Sequence, residues 1–307
     1  MILNILFIVI GIVLVLWGAD RLTDGAVAVA EKMKMPQIVI GLTIVAMGTS
    51  MPEFCVSLIS ALKGTSDLAV GNIVGSNIFN TLLIVGVSAL VAPMSIMKTT
   101  VRKDIPFALV ASALLLIMCL DGDISRIDAA ILFVMFLIFM YITLRGAKAQ
   151  GTDVEEKEKK PMATWLSVVW ILVGLACLIG GSNLFVDCAT AVATKLGVSE
   201  AVIGLTIVAG GTSLPELATS VVSARKGNSG IAIGNVLGSN VFNILAILGL
   251  TGVISPMTLK GITMTDLSMM VISIILIWLF SFTKYKIERW EGAILTAVFV
   301  GYIYSLL

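Results

Sequence analysis

The chain alternates long runs of apolar residues with short stretches of charged residues, glycine or proline. A helix needs about 20 apolar residues to cross the hydrocarbon core of a bilayer. Ten runs of suitable length predict membrane-spanning helices at residues 2–28, 36–62, 68–91, 104–120, 127–145, 163–193, 200–224, 230–254, 262–282 and 288–306. These runs use nearly all of the 307 residues, so we expect no sizeable soluble domain.

Composition supports this interpretation and adds a division into two halves. The chain is 58% hydrophobic and 13% charged, with a mean hydropathy of +1.08, whereas soluble domains contain about 25% charged residues. We therefore predict an all-α polytopic membrane protein. The longest polar segment, residues 145–161, is expected to be a solvated linker. The predicted organisation is a five-helix unit at 1–145, a linker at 146–162 and a second five-helix unit at 163–307.

The basic residues are distributed very unevenly between the two sides of the predicted membrane. Only Lys63, Arg126, Lys195 and Lys260 lie at the even-numbered connections, and the other 16 lie at the odd-numbered ones. Because lysine and arginine accumulate in cytoplasmic loops, we expect a cell-membrane protein with a cytoplasmic central linker and both termini outside. The net charge of +1 gives no support for a nucleic-acid partner.

One sixteen-residue segment occurs twice. VIGLTIVAMGTSMPEF at 39–54 and VIGLTIVAGGTSLPEL at 202–217 agree at 13 of 16 positions. A second pair, GNIVGSNIFNTLLIVG at 71–86 and GNVLGSNVFNILAILG at 234–249, agrees at 10 of 16. Both pairs are offset by 163 residues, so the repeated unit is half of the protein. Since each half contains an odd number of predicted spans, we expect an inverted-topology repeat with its site at the interface between the halves.

The first repeated segment places oxygen-bearing groups on one helix face. Ala46, Thr49, Ser50 and Glu53 follow a spacing of i, i+3, i+4 and i+7, and Ala209, Thr212, Ser213 and Glu216 repeat it. A proline before each glutamate removes a backbone donor and disturbs the turn, which frees carbonyl oxygens. The second repeated segment adds asparagine and serine every four residues, at Asn72, Ser76 and Asn80 and at Asn235, Ser239 and Asn243.

These candidate ligands are all oxygen, and the chain contains no histidine. Oxygen-only sites favour hard cations such as Ca²⁺. A charged side chain at the bilayer centre costs about 2.5–3.5 kcal/mol, so two intramembrane glutamates require a reason, and a bound cation supplies one. The competing interpretation is a protonated acid or a lysine pair, but spans two, three, seven and eight contain no basic residue in their centres.

The glycines and two aspartates of the repeats fit roles besides ion binding. The repeated glycines, including Gly71, Gly75, Gly234 and Gly238, favour close helix packing over a ligand role. Asp24 and Asp187, near the ends of the first and sixth spans, are compatible either with helix capping or with an ion-access vestibule.

The blocks GTSMPE and GTSLPE, each followed by G-N-x-x-G-S-N-x-F-N, resemble the two repeats of the calcium/cation antiporters. Along its full length the chain is most similar to the prokaryotic sodium/calcium exchanger branch. The resemblance implies exchange of Ca²⁺ for Na⁺ by alternating access, with helices one and six sliding across a core of helices two, three, seven and eight. It implies a calcium site formed by Glu53, Glu216 and the backbone oxygens of Thr49 and Thr212.

By the same resemblance, further residues are expected to hold sodium: Ala46, Ser50 and Ser76 in one half, and Ala209, Ser213 and Ser239 in the other, with Asn80 and Asn243 lining the centre. Some relatives have aspartate in place of one of these asparagines, so potassium coupling is not expected here. Large regulatory domains of animal exchangers are also missing. The expected partners are inorganic cations and the lipid bilayer, with no cofactor and no obligate protein partner.

Three other functions are compatible with part of this pattern. A calcium/proton antiporter would use the same glutamates, but it would not need the additional hydroxyl ligands. A cation channel would not need an inverted repeat around interrupted helices. An intramembrane enzyme with Ser50 or Ser213 as nucleophile would lack a histidine or a nearby lysine as base.

Overall fold

The computed structural model describes residues 2–149, 162–197 and 209–306, and these residues are almost entirely helical. The helices of the first half are α1 (Ile2–Met33), α2 (Gln37–Thr49), α3 (Met51–Leu62), α4 (Ser66–Val91), α5 (Thr100–Asp121) and α6 (Arg126–Ala149). Those of the second half are α7 (Thr164–Lys195), α8 (Ala209–Thr212), α9 (Leu214–Arg225), α10 (Ser229–Ile254), α11 (Met264–Ser281) and α12 (Arg289–Leu306).

Seven of the described helices are long and apolar enough to cross a membrane, and α2 with α3 would form an eighth, bent by 49°. The start of the predicted seventh span, residues 200–208, and most of the predicted linker lie outside the described residues. The tenth predicted span corresponds to α12, which does not reach the same hydropathy because Arg289 and Glu291 lie in its first turn. The chain is thus a helical protein with many apolar segments of membrane-spanning length.

Four two-residue strands join the two halves. They are β1 (Met94–Ser95), β2 (Asp123–Ile124), β3 (Met257–Thr258) and β4 (Lys286–Ile287). β1 pairs antiparallel with β4, and β2 pairs antiparallel with β3. Adding 163 to the residue numbers of β1 and β2 gives those of β3 and β4, so each pairing is the counterpart of the other. Each strand therefore pairs with the non-equivalent strand of the other half, and the two pairings are equivalent to each other.

Among the described helices of membrane-spanning length, α10 is the most deeply buried. All residues in an 18-residue stretch of α10 are buried, whereas only 22% of the residues in an 18-residue stretch of α1 are buried. Two glycines allow α10 to approach α2: a Cβ at Gly234 would lie 2.6 Å from the Ile38 carbonyl oxygen, and one at Gly238 would lie 2.6 Å from the Leu42 Cα. This confirms the packing role expected for Gly234 and Gly238. At Gly71 a Cβ would approach only the Ile262 side chain, at 3.2 Å, and at Gly75 it would meet no described atom within 4 Å, so close helix packing is not seen there among the described residues.

Helices α1 and α7 pack against each other as an antiparallel pair at the edge of this core. A Cβ at Gly11, Gly18 or Gly25 would lie 2.7–2.8 Å from a carbonyl oxygen of α7, at Gly181, Gly174 and Ser167 respectively. Such close backbone contact along three positions makes α1 and α7 one structural unit, which we call the α1–α7 pair.

Candidate ion-binding site

The candidate site begins where a helix is interrupted at the repeated G-T-S-x-P-E sequence. Helix α2 ends at Thr49, Ser50 has non-helical dihedral angles (φ −83°, ψ 11°), and α3 begins at Met51 with a proline in its first turn. Ser213 has nearly the same conformation (φ −87°, ψ 7°) between α8 and α9. Because proline has no amide hydrogen and its ring crowds the preceding turn, the sequence imposes this break in both halves.

The break places each glutamate in the first turn of a new helix and inside the protein. Glu53 and Glu216 are each 1% exposed. The Ser213 hydroxyl donates to Glu53 Oε1 at 3.0 Å, and the Ser50 hydroxyl donates to Glu216 Oε1 at 2.7 Å. These two bonds are counterparts under the 163-residue offset, so each carboxylate is held by the broken helix of the other half. The structure thus unites the two repeated segments in one cluster.

Several buried oxygen atoms in this cluster have no hydrogen-bond donor among the described residues. They include the Oε2 atoms of both glutamates and the Oδ1 atoms of Asn80 and Asn243. A buried acceptor without a partner costs free energy, and native proteins rarely contain one without a functional reason. Two unpaired carboxylate oxygens and two unpaired amide oxygens in one buried cluster suit a positively charged ligand.

Ser76, Ser239, Thr49 and Thr212 lie in or beside this cluster. The hydroxyls of Ser76 and Ser213 are 3.2 Å apart. The Thr49 side chain lies beside the Glu216 carboxylate, and that of Thr212 lies beside Glu53. Ala46 and Ser239 are fully buried. Ala209 begins α8, and its side chain lies outside the part of the structure that is described.

Four asparagine side chains form a network where α4 and α10 meet. Asn80 donates to Asn240 Oδ1 at 3.1 Å, and its counterpart Asn243 donates to Asn77 Oδ1 at 3.0 Å. Asn240 also donates to the Thr81 hydroxyl at 2.9 Å. Both α4 and α10 contain a π-helical turn here, Phe79–Ile84 and Phe242–Leu248, a distortion that often occurs at functional sites.

Asn77 and Asn240 were not among the predicted site residues, although both occur in the repeated G-S-N-x-F-N sequence. Their side chains are completely buried, and they orient Asn80 and Asn243 so that the unpaired oxygen of each remains available. Their identity in both repeats was the signal that could have identified them.

Two further asparagines, Asn72 and Asn235, bind the backbone carbonyl oxygens of the glutamates. Asn72 donates to the Glu53 carbonyl at 3.2 Å and to the Ser57 hydroxyl at 3.0 Å. Asn235 makes the equivalent bonds to the Glu216 carbonyl at 3.3 Å and to Ser220 at 3.0 Å. In addition, the Thr49 hydroxyl donates to Asn235 Oδ1 at 3.1 Å. These contacts fix the backbone that carries each carboxylate.

The ligand types and charges of the site indicate which ions it can bind. Among the described residues, neither glutamate has a lysine or arginine partner, and no group of three or more His, Cys, Asp or Glu side chains is present. The site consists of two carboxylates surrounded by neutral hydroxyl and amide oxygens. Hard cations favour such ligands, whereas soft or transition metals favour thiolate and imidazole.

Known proteins match this chain over nearly its whole length. The family model described as sodium/calcium exchanger protein matches residues 3–145 and 166–307. The inner membrane protein YrbG of Escherichia coli is 37% identical, over 100% of this chain and 97% of its own length. The sodium/calcium exchanger MaX1 of Methanosarcina acetivorans is 32% identical, over 99% and 98%.

A solved structure of the sodium-calcium exchanger NCX_Mj, from crystals soaked without Na⁺ and Ca²⁺, superposes with a TM-score of 0.88 at 31% identity. The match covers 100% of this chain and 99% of NCX_Mj. The resemblance inferred from the repeated motifs is thereby confirmed, and the chain belongs to the sodium/calcium exchanger protein family.

Proposed function

We propose that the protein is a secondary active antiporter that exchanges Ca²⁺ for Na⁺ across a membrane by alternating access. The observation that carries the proposal is the reciprocal pair of bonds that places Glu53 and Glu216 together inside the protein. Two carboxylates balance the charge of one Ca²⁺, and the neighbouring neutral oxygens complete the six to eight ligands that calcium takes.

The same two charges explain why transport would be an exchange. An empty site would leave two repelling carboxylates buried in a low-dielectric interior, which is costly. A site loaded with calcium or with sodium ions would be close to neutral. The occluded state is therefore accessible only with cations bound, and each passage of one ion species must be followed by return of the other.

We assign the ligands as follows. Glu53 and Glu216, with the backbone oxygens of Thr49 and Thr212, would hold calcium, and Ser50, Ser213, Ser76, Ser239, Ala46 and Ala209 would contribute to sodium sites beside them. Asn80 and Asn243 would supply the amide oxygens at the centre. This assignment is supported by the unpaired oxygens of the glutamates and asparagines and by the burial of ten of the named residues, which are Ala46, Thr49, Ser50, Glu53, Ser76, Asn80, Ser213, Glu216, Ser239 and Asn243.

The proposed arrangement in the membrane has ten spans in two inverted halves, 1–145 and 163–307, joined by a cytoplasmic linker at 146–162, with both termini outside. The reciprocal strand pairings and reciprocal hydrogen bonds support a two-fold relation between the halves. The excess of 16 basic residues over 4 supports the orientation. If three Na⁺ exchange for one Ca²⁺, each cycle moves one net charge and is electrogenic.

The alternative function is a calcium/proton antiporter in which the glutamates carry protons. Sodium is favoured because serine hydroxyls, not charged groups, bind both carboxylates across the halves, and sodium accepts neutral oxygen ligands. The deciding experiment is calcium uptake into liposomes containing the purified protein, with either an outward sodium gradient or a proton gradient as the driving force. We expect uptake with sodium alone; uptake that follows the proton gradient and ignores sodium would contradict the proposal.

A further inference from the structure

The α1–α7 pair is bound to the core at one end by a cluster of charged side chains. Lys226, at the end of α9, lies 2.6 Å from Asp20 Oδ1 and 2.7 Å from Asp24 Oδ1 of α1. One turn away, the hydroxyls of Thr23 and Ser223 are 3.0 Å apart. We call Asp20, Asp24 and Lys226 the first latch. Arg21 also contacts Asp20, at 2.6 Å, and balances the second carboxylate.

This location excludes one of the two roles expected for Asp24, helix capping. Asp24 was expected to serve either in helix capping or in an ion-access vestibule. In the structure α1 continues to Met33, so Asp24 lies well within the helix and its carboxylate is occupied by Lys226. It holds two helices together instead of capping one.

The counterpart of the first latch is incomplete. Adding 163 to Asp24 gives Asp187 on α7, and subtracting 163 from Lys226 gives Lys63 at the end of α3. These two residues, which we call the second latch, carry opposite charges and are exposed, yet they form no ion pair with each other among the described contacts. Asp20 corresponds to Asn183, so the second latch has one carboxylate where the first has two.

The central contacts between the halves are mostly reciprocal, although the bond from Asn240 to Thr81 has no counterpart because Ile244 occupies the equivalent position. At the centre, the serine–glutamate bonds, the asparagine bonds and the strand pairings all occur as reciprocal counterparts. Because the main contacts of the core are reciprocal while the first latch is not, we infer that the core offers the α1–α7 pair a second position at its other half. In the present structure the pair occupies the first position, with α1 fastened to α9.

We propose that the two latches close alternately: Asp20 and Asp24 bind Lys226 in the present conformation, and Asp187 binds Lys63 when the α1–α7 pair shifts to the opposite position. The proposal rests on the alternating access proposed above and specifies what holds each end state. With the proposed orientation, the first latch lies on the cytoplasmic side and the second on the external side. Because the second latch has fewer carboxylates, the present conformation is favoured.

The expected effect on the conformational equilibrium is modest. The side chains of the first latch remain 28–35% exposed, and exposed ion pairs are partly screened by water and salt. Removing the charge of Lys226 should therefore raise the population of the opposite state about two- to fivefold.

Cysteine cross-linking in liposomes tests the proposal. In a background without Cys55, Cys119, Cys177 and Cys188, one variant carries Lys63→Cys with Asp187→Cys and another carries Asp24→Cys with Lys226→Cys. A short bifunctional thiol reagent should link the second-latch pair only in a minor fraction of molecules, and linking either pair should stop transport. Ser95→Cys with Lys286→Cys, which joins paired strand positions, should link under every condition.

The decisive comparison adds Lys226→Met to the second-latch cysteine pair. We expect its cross-linking to rise about two- to fivefold, while Lys284→Met, which removes an exposed ion pair with Glu288 elsewhere, should leave it unchanged. The proposal is contradicted if, in a protein that exchanges ions, the second-latch cysteines never cross-link. It is also contradicted if Lys226→Met does not change the cross-linking yield of this pair. If the latches alternate but sodium does not drive calcium uptake, the proposed exchange fails and the latches stand.

Discussion

Replacing Glu53 with glutamine tests the candidate site most directly. The substitution keeps the side chain's size and its acceptor for the Ser213 hydroxyl, but it removes one of two buried charges. Breaking a buried ion pair by removing one partner costs about 3–5 kcal/mol. The ion pair that is broken here is that of the Glu53 carboxylate with the bound Ca²⁺. At about 1.4 kcal/mol per factor of ten, calcium affinity should fall by about two to four orders of magnitude. Because the two halves are reciprocal, Glu216→Gln should produce a loss of similar size.

The assay is isothermal titration of purified protein with calcium in sodium-free buffer. Glu291→Gln is the matched control, since Glu291 is also a completely buried glutamate but lies outside the cluster, where it accepts a hydrogen bond from the Glu288 backbone. It should bind calcium like the wild type. In the absence of cations Glu53→Gln should unfold at the same temperature as the wild type or higher, because the carboxylates of Glu53 and Glu216 repel each other. Affinity within tenfold of the wild type in both site variants would refute the assignment.

Three further predictions concern the neutral ligands, the packing and the charge balance. Ser50→Ala and Ser213→Ala should each weaken sodium-driven uptake more than calcium binding, since a carboxylate loses its hydroxyl partner while both charges remain; equal losses in the two measurements would contradict this. Gly238→Ala should lower thermal stability by about 1–3 kcal/mol, because its Cβ would meet the Leu42 backbone at 2.6 Å, while Gly301→Ala, with open space around it, should not. A potassium diffusion potential should shift the calcium accumulation ratio about 50-fold per 100 mV if one net charge moves per cycle, and an unchanged ratio would exclude electrogenic exchange.

The internal repeat is the reason why the sequence could pair residues that the structure brings together. Glu53, Ser50 and Ser76 could be matched with Glu216, Ser213 and Ser239 without a structure, because two copies with one offset indicate which residues share a role. The proline next to each glutamate also predicted the interruption of the helix, which depends only on local backbone chemistry.

Contacts between distant parts of the chain were not predictable in the same way. The strands β1–β4 are two residues each, too short to show a period. Asp24 could be placed near a helix end but not against Lys226, because α1 extends to Met33 and the ion pair spans 202 positions in the sequence. The repeat shows that Asp20 corresponds to Asn183, but it could not show that α1 is bound to α9, since that depends on ion pairs between residues far apart in the chain.

The strand pairings have a consequence for biogenesis. Each of β1 and β2 belongs to the first half and finds its partner in the second, so neither half contains a complete pair. During synthesis β1 and β2 can therefore form these pairs only after residues 286–287 and 257–258, respectively, have been made. Two separately expressed halves would therefore have to associate before either strand pair could form.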